Sequence, residues 1–171
     1  MNTIKKIALF LAASFVAGNV MAQSKDIVGV ASASKDHTTL VAAVKAADLV
    51  ATLQSKGPFT AFAPTNAAFD KLPAGTVATL LKPENKAKLA GILTYHVVAG
   101  KLDAKTVLAA IKKGNGSVVL KTVSGGELKA SLLKGKVVLT DAKGGKATVT
   151  ATDLEASNGV IHVINGVLLP Q

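Results

Sequence analysis

Residues 57–69 read G-P-F-T-A-F-A-P-T-N-A-A-F, and three kinds of local physics meet in them. Phe59 to Phe62 alternates apolar and polar, and aromatic rings suit a pleated surface, which predicts a short strand. Pro64 has no N–H to offer a sheet partner and ends it. Thr65 and Asn66 are capping residue types, placed to start a helix over 67–72, with Asp70 near its positive end. Phe59, Phe62 and Phe69 are three of the four aromatics that follow residue 22. A chain this poor in large rings is expected to place them in one apolar nucleus.

Working outward, the first 22 residues differ from everything after them. Lys5 and Lys6 precede the apolar run Ile7 to Val16, and Val20-Met21-Ala22 offers small residues at a cleavage site. This is the pattern of a secretory signal peptide, with the cut expected before Gln23. The apolar run is shorter than the ~20 residues a spanning helix needs, so no transmembrane segment is expected after cleavage. The product is expected to be periplasmic or secreted, and residues 23–171 to form a single domain. The chain has no cysteine, so disulfides, thiolate metal sites and thiol nucleophiles are excluded.

Before the central stretch, Asp26 is placed to cap a turn over 27–31 and Thr38 to cap a helix carrying Leu40, Val41, Val44 and Ala47. A break is expected near Asp48, which can cap a further short helix. After it, Thr76 to Leu81 reads as a short helix. Leu89, Ile92, Leu93, His96 and Val97 keep helical spacing, and Asp103 is placed to cap a helix that ends at Lys112-Lys113-Gly114. From Ser117 the period changes. Five apolar-alternating runs, 117–123, 127–133, 136–140, 147–154 and 159–169, are separated by short glycine-bearing turns, the pattern of an antiparallel meander. Helices first and strands last predict an α+β fold.

All 20 basic residues are lysine, and 18 of them follow residue 22 against 10 acids. Residues 101–146 hold ten lysines and three acids. Such a surface suits anionic partners, among them polysaccharide and lipid headgroups. Without arginine, and with one tyrosine, the chain has few groups for base stacking or base-edge readout, so no nucleic acid is expected. No G-x-S-x-G, H-E-x-x-H or P-loop is present. The three histidines, His37, His96 and His162, stand at no ligand spacing. Neither a catalytic residue, a metal nor a cofactor is therefore assigned.

Three segments carry a family resemblance. T-A-F-A-P-T-N-A-A-F, from Thr60 through Phe62, Pro64, Thr65 and Asn66 to Phe69, resembles the first homology box of the fasciclin domain. Tyr95-His96, flanked by Ile92-Leu93 and Val97-Val98, is similar to that family's tyrosine–histidine motif. Asn158-Gly159-Val160-Ile161-His162-Val163-Ile164, continuing to Leu168-Leu169-Pro170, resembles the second box. The resemblance implies a β-sandwich or wedge decorated by several short helices, and a secreted, non-enzymatic module for cell–cell or cell–matrix attachment. In animal relatives, integrin binding is assigned to the tyrosine–histidine motif and to an Asp-Ile pair before the second box. By resemblance Tyr95, His96, Asp153 and Leu154 are the candidate contacts, with leucine standing where relatives carry isoleucine. The partner the resemblance implies is a cell-surface or matrix protein; the lysines of 101–146 separately suit an anionic polysaccharide.

Residue chemistry also gives these positions interior roles. His96 falls on the apolar stripe begun by Leu89, so it is expected to tie its helix to the central stretch through Thr65, Asn66 or Asp70. Tyr95 points off that stripe. His162 is expected to pack within its strand. An unrecognised hydrolase would need a carboxylate pair, or a histidine–acid pair, brought together by folding.

Overall fold

The computed structural model describes residues 25–171; the signal peptide read over 1–22 lies outside them. In chain order come α1 (Ile27–Ala33), α2 (Thr38–Ala46), α3 (Val50–Leu53), β1 (Phe59–Pro64), α4 (Asn66–Asp70), α5 (Thr76–Leu80) and α6 (Lys86–Tyr95). Then follow β2 (Val97–Ala99), α7 (Ala104–Lys113), β3 (Ser117–Lys121), β4 (Glu127–Leu133), β5 (Lys136–Thr140), β6 (Lys146–Ala156) and β7 (Gly159–Ile164).

The helix starts follow short-range chemistry. Asp26 accepts from the Gly29 N–H, Thr65 from Ala68 and Asp103 from Thr106, each satisfying an amide that the first turn leaves unpaired. Two expected caps are filled otherwise. Asp48, at φ +59°, sits in the break, and Leu49 takes the capping position of α3. The N-terminus of α2 is served from a distance. Asn66 Oδ1 accepts from the Thr39 N–H at 3.0 Å and the Thr38 hydroxyl at 3.1 Å, while its Nδ2 donates to the Lys35 carbonyl. Asn66 therefore ties α2 to α4 and leaves α4 to Thr65.

The seven strands form one mixed sheet in the order β2-β1-β7-β6-β5-β4-β3. From β3 to β7 it is the expected antiparallel meander. The departure is at the seam, where β1 runs parallel to β7, Phe59 beside Gly159 and Pro64 beside Ile164. Strand β1 runs on through Pro64, two residues past its expected end. Both strands are buried on two faces, so their expected alternation gives way to near-continuous burial. The outer strands curl toward each other: Val98 bridges Thr122, and the Val123 N–H donates to the Val97 carbonyl at 2.7 Å. This nearly closes the sheet into a barrel.

Helix α6 stops at Tyr95, and Val97, expected on the helix, begins β2 and pairs with Ala61. Two β-branched residues in a row favour the pleated surface that β1 offers there. One apolar cluster fills the barrel, with Phe62, Tyr95, Val107, Ile111, Leu128, Leu139 and Ile164. Another lies among the helices, around Val44, Leu53, Leu89, Ile92, Leu93 and Val97. The phenylalanines do not share one nucleus: Phe62 is in the barrel and Phe59 packs against the helical cluster.

Candidate functional site

The three sequence motifs come together around the β1–β7 seam. Phe62 lies beside His162 across the seam, and their rings stack with centroids 5.6 Å apart. The Phe62 N–H donates to the His96 carbonyl at 2.8 Å. At the far end of the seam the Asn158 side chain accepts from the Ile27 N–H and donates to the carbonyls of Leu53 and Ser55, joining α1 and α3 to the β6–β7 turn. Gly159 faces the Phe59 backbone so closely that a Cβ would overlap the Phe59 carbonyl oxygen.

Tyr95 and His96 are interior, at 1% and 3% exposure, so neither presents a side chain to a partner. Tyr95 does point off the stripe of Leu89, Ile92 and Leu93, and its ring enters the barrel cluster, which covers the side of α6 that the helical cluster leaves free. Its hydroxyl donates to the Glu127 carbonyl at 2.6 Å and accepts from the Ala142 N–H at 3.2 Å. Burial raises its pKa above the ordinary tyrosine value. The partners expected for His96 are replaced. Its Nε2 accepts from the Leu168 N–H at 3.0 Å, so Nδ1 carries the proton and donates to the Ile92 carbonyl at 2.8 Å. Burial lowers its pKa to about 4. The carboxy-terminal tail is thus held by His96 at Leu168 and by Asp141, whose Oδ2 accepts from the Leu169 N–H.

Asp141 was not singled out by the sequence. It is buried, and its other oxygen accepts from the Lys143 and Gly145 amides. The signal was present in D-A-K-G-G at 141–145, an aspartate before a glycine turn.

Around the loop from Gly100 to Asp103 the motifs act jointly. The fully buried Thr60 hydroxyl donates to the Gly100 carbonyl at 2.7 Å and accepts from the Leu102 N–H at 2.8 Å. His162 Nε2 donates to the Leu102 carbonyl at 2.6 Å, leaving Nδ1 to face the Asp153 N–H. Asp153 Oδ1 accepts from the Ala104 N–H at 2.8 Å, at the start of α7. Strands β1, β6 and β7 together fix where α7 begins. Beside them Lys101 pairs with Glu155 at 2.9 Å on the surface.

Asp153 and Leu154 do face solvent. They sit where β6 gains one residue over β7 between Ala151 and Leu154, a β-bulge, with Asp153 at φ +58°, a conformation aspartate tolerates. Leu154 is 38% exposed. Of the four candidate contacts, the structure places two inside and two on the surface. The hydrogen bonds of all three histidines, among the described residues, go to backbone groups and to the Ser34 hydroxyl. No grouping of acids and histidines able to hold a metal ion occurs among the described residues.

Comparison with known proteins agrees with this architecture. The fasciclin domain family model matches residues 35–170. Protein sll1483 of Synechocystis is 54% identical over 144 residues, covering 84% of this chain and 73% of that protein. Immunogenic protein MPB70 of Mycobacterium bovis is 37% identical over 158 residues, covering 89% of this chain and 73% of its own. Among solved structures, a FAS1 domain pair from the insect cell adhesion molecule fasciclin I superposes with a TM-score of 0.73 at 22% identity. That match covers 85% of this chain and 51% of the solved one, so this chain spans about half of the pair.

Proposed function

The chain belongs to the fasciclin domain family, and from that premise we propose that it is a non-enzymatic adhesion module for cell–cell or cell–matrix attachment. In this reading residues 1–22 direct export and are removed, residues 23–171 act as one domain in the periplasm or outside the cell, and the partner is a cell-surface or matrix protein. One observation carries the choice of contact. Asp153 and Leu154 are the two candidate residues that reach solvent, and they sit on a bulge that the Thr60–His162–Asp153 contacts hold in place. Tyr95 and His96 then support the surface from within.

The test is binding of labelled protein to the producer's own cells, comparing wild type with Leu154→Ser. Removing a half-exposed leucine is expected to leave the melting temperature within a degree or two, while cell binding drops severalfold at both low and high salt. Equal binding by the variant would move the contact away from the bulge. Binding that vanishes in salt for both proteins would assign attachment to the lysines of 101–146 and an anionic partner, polysaccharide or lipid headgroup, instead.

A further inference from the structure

Five large apolar side chains are markedly exposed among the described residues, and four of them fall within one hairpin: Val119, Val123, Leu132 and Leu133. The strand register shows what surrounds them. Val119 lies opposite Lys129 and Leu133 opposite Lys136, so each pair shares a face of the sheet. Lys129 and Leu133 are an even number of residues apart on β4, which puts both pairs on the same face. Lys121 and Lys146 join them through the registers of β3 with β4 and of β5 with β6. The opposite face is the covered one, since α7 packs into the barrel with Val107 and Ile111 against Leu120 and Leu128.

The open face is strongly cationic. Its one acid is Glu127, opposite Lys121. The ion pairs among the described residues are Lys82–Glu84, Lys86–Asp48 and Lys101–Glu155, so the four lysines of the face have no carboxylate partner there. The β4–β5 turn adds a fifth. Lys134 and Gly135 make a two-residue turn with φ +50° and +76°. Gly135 takes that conformation freely, but a lysine pays roughly 1–2 kcal/mol for it. The tip therefore reads L-L-K-G-K over 132–136: Leu133 stands on the open face, while Leu132, opposite Val137, projects from the other face of the ribbon, so two exposed leucines flank the two lysines at the tip.

We propose that this face and tip dock on an anionic lipid bilayer, with the lysines among the headgroups and Leu133 at the acyl boundary, joined at the tip by Leu132 from the other side of the ribbon. The leucines decide between anionic partners. A polar polyanion would be met by the lysines alone and gains nothing from exposed aliphatics, whereas a lipid surface rewards both. This contact uses other residues than the Asp153–Leu154 bulge, so either reading can fail alone.

The experiment is co-sedimentation with vesicles of phosphatidylcholine alone and with added phosphatidylglycerol. Residues 1–22 carry an apolar run and two lysines of their own, so the protein is taken as the producing cell processes it, with its N-terminus read by mass and matched between variants. Binding is expected only with phosphatidylglycerol. It should weaken about fivefold per lysine removed in Lys129→Gln/Lys136→Gln, and severalfold in Leu132→Asn/Leu133→Asn or in the milder Leu133→Gln, with unchanged melting. Vesicle binding indifferent to the leucines, together with equally tight binding of soluble dextran sulfate, would overturn the proposal in favour of a polyanion site. Absence of binding to either vesicle would overturn it outright.

Discussion

Tyr95 and His96 are neighbours in the chain and equally buried, yet they secure different parts of the molecule. The tyrosine hydroxyl joins the start of β4 to the β5–β6 turn, and the histidine ring joins the end of α6 to the tail. Tyr95→Phe keeps the ring and strips the hydroxyl, leaving the Glu127 carbonyl and the Ala142 N–H short of a partner. An unsatisfied buried group costs about 1–3 kcal/mol, so thermal unfolding should begin several degrees lower. A phenylalanine variant melting with wild type would show that water takes over both groups. Helical spacing from Leu89 was enough to put His96 inside. It could not supply the partners, because Leu168 lies 72 residues away and no local pattern encodes that distance. Tyr95 lies off the Leu89 stripe, as its spacing predicts, but the layer covering it was not legible for a related reason. A single-helix projection has one inward face, whereas α6 has the helical cluster on one side and the barrel, with Tyr95, on the other.

Among the elements, the meander was legible because each of its turns is local, and glycines mark them. The β1–β7 seam was not, since a parallel pair has no turn of its own and its partners are about a hundred residues apart. The short β2 was hidden by Val97 continuing the helical count. What the seam requires of the sequence is space. Gly159 does not need glycine for its backbone angle; it needs the missing Cβ, because the Phe59 carbonyl occupies that volume. Gly159→Ala should therefore push β1 and β7 apart and cost about 1–3 kcal/mol, as overpacking does. Gly135, at φ +76° in open space, is the matched control. Gly135→Asn should change stability by less than about 0.5 kcal/mol, since asparagine tolerates that conformation. Equal losses in the two variants, read by chemical denaturation, would rule out crowding at the seam as the cause.

At the scale of the whole molecule, two buried histidines link folding to pH. Burial holds the pKa of His96 at about 4 and lowers that of His37, against 6.5 for a free side chain. A folded-state value below the unfolded one means that the unfolded chain takes up protons first. Stability is then full above pH 6.5 and falls as the pH drops toward 4, because acid draws the equilibrium to the unfolded side. At 1.36 kcal/mol per pKa unit, the His96 shift corresponds to about 3 kcal/mol across that window. A proton on Nε2 would also end its acceptance of the Leu168 N–H, so the tail should loosen along with global stability. Hydrogen exchange at Leu168 and Leu169 would report the first change and urea midpoints the second. His96→Gln should be less stable than wild type at pH 7, yet lose less on going to pH 4.5, because its side chain does not titrate. A wild-type urea midpoint that stays constant between pH 7 and 4.5 would mean that His96 is equally hard to protonate in both states. Its burial would then contribute nothing to acid sensitivity.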